Sequence, residues 1–123
     1  MPLPLIQRCV CLTVLLVAAC TSLTSTTIID PGKAFRLGGG QAGAFRVRGT
    51  NAGSVPVIVY SEVGGKRDSV LTLEAGAPVD ARFPDSATAI FENRSLTDQA
   101  FVAIKVSGNI GALGMGYEVN RTR

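Results

Sequence analysis

The sequence of 123 residues contains no histidine and no tryptophan. Without histidine the chain has no Ser/His or Cys/His nucleophilic pair, no imidazole for proton transfer and no imidazole metal ligand. Tyr60 and Tyr117 are the only tyrosines, too few for an aromatic surface that stacks on sugars or bases. The composition therefore predicts a protein that is not an enzyme, with no catalytic residue, no metal site and no cofactor.

Charged residues are also few, and neither sign forms a block. The formal net charge at pH 7 is +3, and the positive residues are interspersed with negative ones. Domains that bind nucleic acid carry a larger and more concentrated positive charge. We therefore expect no nucleic-acid partner.

Cysteine is confined to the first 20 residues. Two of the three cysteines lie in an apolar run, residues 9–17, that follows Arg8 and precedes small residues, which is the layout of a secretory signal. The run is shorter than the roughly 20 apolar residues that span a bilayer. Removal of residues 1–19 leaves Cys20 alone, so the remaining chain has no disulfide framework.

The sequence Val17-Ala18-Ala19-Cys20 resembles the lipobox of bacterial lipoproteins. That resemblance implies that the sulfur of Cys20 takes a diacylglycerol before cleavage, and that acyl chains such as palmitate then hold the protein at a membrane. More than one chain gives stable attachment where a single chain is marginal. By the same resemblance, Thr21 stands where an aspartate favours the inner membrane, which implies the outer membrane. Cleavage by an ordinary signal peptidase after Ala19 is the competing interpretation.

The segment that follows, residues 20–32, is rich in serine and threonine and nearly free of charge. We expect it to be a tether between the lipidated cysteine and a folded domain. Ile28 and Ile29 allow a first strand to begin within it. The turn-forming residues 30–32 then mark the entrance to a domain that covers residues 33–123.

Residues 33–123 alternate between apolar and polar side chains and are interrupted every eight to twelve residues by Gly, Pro, Asn or Asp. The pattern predicts an all-β fold, a small antiparallel β-sandwich of seven to eight strands that follows the cleaved signal peptide. Two segments, 55–62 and 100–106, are apolar on both faces and are predicted to be central strands. The predicted strands are 34–37, 44–50, 55–62, 67–73, 79–83, 88–92, 100–106 and 114–119.

The phenylalanines all fall inside predicted strands and are the expected core. The spacing of Asn51, Gly53 and Pro56 resembles the turn pattern of extracellular immunoglobulin-like modules, and that resemblance implies an immunoglobulin-like sandwich. A jelly-roll arrangement fits the strand pattern equally well. The five phenylalanines are Phe35, Phe45, Phe83, Phe91 and Phe101.

Arg46 and Arg48 are the candidate ligand-binding residues, because a spacing of two places both side chains on one face of a strand. Such a face would meet an anionic ligand. The other basic residues considered for it are Lys66, Arg67, Arg82 and Arg94. The alternative is that interleaved acidic residues pair with them across strands on a solvated face. Those acidic residues are Glu62, Asp68, Asp80 and Glu92.

Three further motifs have simple structural interpretations. The glycine-rich segment 38–43 lacks the following helix and the Lys-Ser/Thr end of a phosphate-binding loop, so it predicts a flexible turn. The carboxylates Asp80, Asp85 and Glu92 are close in sequence, but a surface strand and a turn commonly carry such residues, and we expect no catalytic pair. The glycosylation sequon at Asn93 is expected to be coincidental in a bacterial lipoprotein.

These features predict a bacterial cell-envelope lipoprotein whose membrane contact is the lipid on Cys20. The leading hypothesis is a non-enzymatic accessory or structural subunit that docks to another envelope protein through an exposed sheet edge or the Tyr60/Tyr117 region. The alternative is a binding module for an anionic surface polysaccharide or lipid that uses the Arg46/Arg48 face.

Overall fold

The computed structural model describes residues 22–41, 43–108 and 113–119. Within these ranges every regular element is a β-strand, and nine strands form two antiparallel sheets. The strands are β1 (Ser22–Ile29), β2 (Lys33–Gly38), β3 (Phe45–Asn51), β4 (Val57–Val63), β5 (Lys66–Leu73), β6 (Pro78–Phe83), β7 (Thr88–Glu92), β8 (Ala100–Gly108) and β9 (Met115–Val119). The predicted all-β sandwich is confirmed, and the eight predicted strands correspond to β2 through β9 within a few residues.

The sequence pattern that gives this fold is clearest in β6. Val79, Ala81 and Phe83 are buried, whereas the alternate residues Asp80 and Arg82 are exposed. A period of two places one face of a strand against the core and leaves the other to solvent. The alternation therefore fixes which face each sheet turns inward.

The strand order decides between the two sandwich arrangements that the sequence left open. The four-stranded sheet A has the order β1-β8-β3-β6, and the five-stranded sheet B has the order β5-β4-β7-β2-β9. Strand one therefore pairs with eight, two with seven, three with six and four with five, as in a long hairpin rolled into two sheets. That is the jelly-roll arrangement, with β9 added beside β2. The immunoglobulin arrangement groups its strands differently.

The predicted tether over residues 20–32 is wrong for most of its length. Residues 22–29 form β1, and all eight residues pair with β8, from Ser22 opposite Ser107 to Ile29 opposite Ala100. The segment has the two-residue period of a strand with one buried face, because Thr27 and Ile29 are buried while Thr26 and Ile28 are exposed. The strand order places it at the edge of sheet A. Serine and threonine suit the outer face of such a strand, and β-branched threonine favours it. The folded domain therefore includes residues 22–29, which lie before the predicted boundary at residue 33.

Four of the five phenylalanines lie in the core, as expected, and Phe101 is the exception. Phe35, Phe45, Phe83 and Phe91 are at most 4% exposed, and Phe45 stacks on Phe83 with ring centroids 5.2 Å apart. Phe101 instead lies on the outer face of β8, where it is half-buried. Position in a strand gave the correct element for Phe101 but not the correct face.

Central strands were predicted for β4 and β8, and both lie in the interior of their sheets. The strand buried most completely is β7, the middle strand of sheet B, in which all five residues are buried. Ile90 lies on its outer face with no exposed surface, between Tyr60 on β4 and Arg36 on β2. The long side chains of these neighbours cover it, because they carry apolar carbon below their polar ends.

Candidate functional site

The outer face of sheet A carries the predicted basic residues. Arg46 and Arg48 alternate on β3 with the buried Phe45 and Val47, so both point away from the core, as predicted. The register adds two cations from neighbouring strands. Arg46 lies opposite Arg82 on β6, and Arg48 lies opposite Lys105 on β8. We call these four residues, Arg46, Arg48, Arg82 and Lys105, the basic face.

One carboxylate lies among these cations. Arg46 donates two hydrogen bonds to Asp80, from Nε at 2.8 Å and from Nη2 at 2.7 Å. These bonds, aided by the charges of Arg46, Arg48 and Arg82, hold the pKa of Asp80 below its ordinary value. The predicted cross-strand charge pairing is therefore present, but it involves only one cation of the basic face. Among the described residues, no carboxylate lies within salt-bridge distance of Arg48, Arg82 or Lys105.

A shallow depression marks one end of the basic face. Its volume is about 190 Å³, and the residues that line it include Arg46, Arg82 and Ser107. Two guanidinium groups beside a small open volume suit an anionic group such as a phosphate or carboxylate. This end of sheet A is also where β1 begins, because Ser22 lies opposite Ser107.

The other basic residues considered for this face lie elsewhere. Lys66 and Arg67 are on β5 of sheet B, and Arg94 lies just after β7, where it contacts Glu92 and Tyr60 of sheet B. Lys105 is the member that sequence reasoning missed. Its strand is apolar on both sides of the lysine, and only the long-range register shows that it lies beside Arg48.

The outer face of sheet B is closed by a ring of four charged side chains. Arg36 donates to Glu62 at 3.0 Å and to Glu118 at 2.6 Å, while Arg67 donates to the same two carboxylates at 3.2 Å and 3.1 Å. We call these residues the charge ring. Arg67 is on β5 and Glu118 on β9, the two edges of the sheet. Four strand spacings amount to about 19 Å in a flat sheet, so the sheet curves toward its outer face to allow this contact.

Burial and ion pairing shift the pKa values of the charge-ring carboxylates in opposite directions. Burial alone would raise the pKa of Glu62, but hydrogen bonds and positive charge from Arg36 and Arg67 outweigh it and lower that pKa. The pKa of Glu118 is lowered by the same balance. Both carboxylates are therefore ionised partners in a structural network, which does not suit a general acid.

A second polar cluster lies on the same face. Tyr60 donates to Glu92 at 3.2 Å, and Arg94 donates to Glu92 at 2.6 Å and to the Tyr60 hydroxyl at 2.8 Å. Tyr117 lies on the core side of β9, where it packs against Phe35 with centroids 5.4 Å apart. The structure therefore does not bring Tyr60 and Tyr117 into one region.

The open side of the sandwich lies between the edge strands β1 and β9. Met115, Tyr117 and Val119 point toward the core side of β9 yet are 51%, 57% and 72% exposed, since β9 is the edge of sheet B among the described strands. A groove of about 410 Å³ lies beside Tyr117, and its lining also includes Ile28 and the charged residues Asp30 and Lys33. We call this region the open edge.

The carboxylates that are close in sequence do not form a catalytic pair. Asp80 is on the outer face of sheet A, Glu92 is on the outer face of sheet B, and Asp85 is in the turn between β6 and β7, where it accepts a hydrogen bond from the backbone of Gly43. Within the described ranges, no group of three His, Cys, Asp or Glu residues is placed to hold a metal ion.

The glycine-rich segment and the Asn93 sequon both have structural roles. Gln41 is 3% exposed and binds inside the loop, accepting from Gly39 at 2.6 Å and donating to Ala87 at 3.2 Å. Its side chain thus links the loop to the residue that precedes β7. Asn93 is fully buried and donates to the carbonyls of Ile29 and Asp98, so its amide is not accessible for glycosylation.

The predicted lipidation site, Cys20, and the neighbouring Thr21 lie outside the described residues. In the part of the chain that the structure describes, no helix has the length and apolar character needed to cross a membrane. No protein-family model, curated protein or solved structure matches this chain.

Proposed function

We propose that this protein is a lipid-anchored subunit of the bacterial cell envelope, attached through Cys20 and acting without catalysis. In this proposal it docks to another envelope protein through the open edge. The segment Val17-Ala18-Ala19-Cys20 resembles a lipobox, and this resemblance supports the lipid anchor. The exposed apolar residues of β9 support the docking surface, and they are the observation that carries the proposal.

The four edge strands differ in how well they are protected against pairing with another chain. β5 carries Lys66 and Arg67 and lies beside an irregularity at Tyr60 of β4, and β6 begins with Pro78 and carries Arg82. Charge, proline and bulges are the common means of protecting an edge. Neither β9 nor β1 contains lysine, arginine or proline, and the one charged residue of β9, Glu118, is bound in the charge ring. β9 is favoured over β1 because its exposed apolar residues are 51–72% exposed, against 38% and 47% for Leu23 and Ile28 of β1. An incoming strand therefore meets less resistance at β9 than at β5 or β6.

The open edge suits a partner that presents an extended segment. Such a segment would add a strand to β9 through backbone hydrogen bonds, and its alternate side chains would enter the groove beside Tyr117. Ile28 and Tyr117 supply apolar contact, while Asp30 and Lys33 supply one charge of each sign at the rim. The partner segment is therefore expected to be apolar with polar residues at one end.

Site-specific crosslinking in cells tests the docking surface. A photo-reactive amino acid in place of Tyr117 should capture one envelope protein, and mass spectrometry should map the crosslink to an extended segment of it. The matched control is the same substitution at Val70, which is 44% exposed on β5, the opposite edge of sheet B. Met115→Lys should abolish the capture at 117 by protecting the edge. Equal capture at positions 117 and 70 would contradict the docking proposal.

The anchor is tested separately by fractionation. Cys20→Ala should release the protein from membranes, because the acyl chains supply the attachment. A variant that remains in the membrane fraction would refute the anchor.

A second candidate function rests on the basic face. Three of its four cations have no carboxylate within salt-bridge distance among the described residues, so the face is suited to an anionic ligand. Replacing Arg46 and Arg48 with serine should abolish salt-sensitive binding of an anionic lipid or polysaccharide. The same variant should leave crosslinking at Tyr117 unchanged, since Tyr117 lies in the other sheet.

A further inference from the structure

The first strand fixes where a lipid on Cys20 would hold the domain. Ser22 is the first residue of β1, so only Thr21 separates the strand from Cys20. Two residues span at most about 7 Å. If Cys20 carries the acyl chains, the end of sheet A that contains Ser22 lies directly at the membrane surface.

The basic face is concentrated at this same end. Ser22, Ser107, Arg46 and Arg82 form one row across sheet A. With strands about 4.8 Å apart, Arg46 lies about 10 Å from Ser22 and Arg82 about 14 Å. The depression of about 190 Å³ between Arg46 and Arg82 also lies in this row. Groups that bind an anion are therefore within reach of the surface to which Cys20 would attach.

A second row strengthens the positive charge. It contains Thr24 on β1, Lys105 on β8, Arg48 on β3 and Asp80 on β6. Across both rows the outer face of sheet A carries four cations and one carboxylate. The carboxylate is already bound by Arg46, which leaves Arg48 and Lys105 directed at solvent.

The opposite end of the sandwich has exposed acidic residues. Asp30 follows the last residue of β1, Glu74 follows β5, and Asp98 precedes β8, which places all three at the end away from Ser22. Lys33 and Arg94 also lie at that end, and Asp85 lies in the β6–β7 turn at the Ser22 end. The outer face of sheet A still has an excess of cations near Ser22, which would favour one orientation at a negatively charged surface.

We propose that the basic face docks onto anionic phospholipid headgroups of the membrane that holds Cys20, so that sheet A inclines toward the bilayer. This inference rests on the proposed lipid anchor. A short acyl attachment and a basic patch act as two signals, each basic residue near an anionic surface contributing about 1 kcal/mol. In this orientation Asp30 and Lys33 of the open edge point away from the membrane, where a protein partner can reach them.

The test uses the acylated protein in vesicles of phosphatidylcholine, with or without phosphatidylglycerol. A cysteine introduced by Thr50→Cys is the only free thiol when Cys20 is acylated, and it carries a fluorescent probe on the outer face of sheet A. Ser69→Cys places the probe at a similar height on the outer face of sheet B. Quenching by nitroxide-labelled headgroups reports which face lies nearer to the membrane.

On vesicles with phosphatidylglycerol, the probe at position 50 should be quenched more strongly than the probe at 69, and 0.5 M salt should remove the difference. Arg48→Ser with Lys105→Ser should lower the ratio of docked to free domain about 25-fold, because about 1 kcal/mol for each residue is about fivefold. Lys33→Ser and Lys105→Ser, compared singly, form a matched pair: each removes one exposed lysine, and only Lys105→Ser should reduce docking.

Three results would overturn the proposal. Equal quenching at positions 50 and 69 on anionic vesicles would show that sheet A has no preferred orientation. If dextran sulfate covers the position-50 probe while anionic vesicles do not, the basic face would be assigned to a soluble polyanion instead. Failure of the protein to float with pure phosphatidylcholine vesicles would refute the anchor itself, and with it both this inference and the anchor of the proposed function.

Discussion

Glu62→Gln is the substitution that tests the charge ring most directly. It keeps the volume of the side chain and one oxygen but removes the negative charge. In the native protein Glu62 accepts hydrogen bonds from Arg36 at 3.0 Å and from two nitrogens of Arg67 at 3.2 and 3.3 Å. The variant leaves Glu118 as the shared carboxylate partner of both arginines within the ring.

The expected loss of stability follows from the burial of these groups. The side chains of Glu62 and Arg67 are only 9% and 13% exposed, so the contacts are screened less than surface ion pairs. A hydrogen bond to a charged group is worth about 1.5–3 kcal/mol, whereas removal of one partner from a fully buried pair costs about 3–5 kcal/mol. Because both arginines keep Glu118 and Arg36 is partly solvated, we expect a loss of about 2 kcal/mol. For a domain of this size that lowers Tm by about 8–16 °C.

Urea unfolding of residues 20–123 with Cys20→Ser measures the effect, since every described strand lies within this range. The midpoint should fall while the dependence on urea stays constant, which indicates a change in stability alone. Asp80→Asn is the matched control, because it breaks the exposed pair with Arg46 and should change the midpoint little. Equal midpoints for Glu62→Gln and the parent would refute the claim that the charge ring stabilises the fold.

Three further predictions concern acid, the core and one close strand contact. The pKa values of Glu62 and Glu118 lie below their ordinary 4.5, so on acidification the unfolded chain takes up protons at a higher pH than the folded protein does. The contribution of these two carboxylates to stability should be complete above about pH 5 and be lost as pH falls through the folded pKa. Urea titrations at a series of pH values measure this, and an unchanged urea midpoint down to pH 3 would contradict it. Phe83→Ala should lower the free energy of unfolding by about 3–5 kcal/mol, because Phe83 has no exposed surface. Leu96→Ala, at a residue that is 90% exposed, should leave the urea midpoint unchanged. Similar midpoints for the two variants would contradict the burial of Phe83 in the core. Gly49→Ala should strongly reduce the yield of folded protein, as measured by circular dichroism. A Cβ at residue 49 would collide with the backbone of β8 and would lie 2.9 Å from the Cα of Ile104. Normal folding of this variant would disprove the close contact.

Local pattern predicted the strands and most of the core, because it depends on neighbouring residues. The alternation of Val79, Ala81 and Phe83 is visible in the sequence and is confirmed by burial. The same reasoning failed for residues 22–29, since threonine and serine suit a tether and an edge strand alike. Only pairing with β8 distinguishes the two.

The arrangement of charges could not be predicted in the same way. Arg46 and Arg48 share a face because of their spacing, but Lys105 joins them only through the register of β8 with β3. The Arg67 and Glu118 contact depends on the curvature of a whole sheet. Such contacts join residues far apart in the chain, and no local pattern specifies which strands become neighbours.

The pairing of β1 with β8 also constrains the order of events in folding. Ser22 and its partner Ser107 are 85 residues apart in the chain, since 107 minus 22 is 85. Strand pairing between distant segments is slow, because a large loop must close before the contacts form. In the described strands only β4 and β5 form a hairpin of consecutive strands. The sandwich is therefore expected to nucleate around that hairpin and to pair β1 with β8 late in folding.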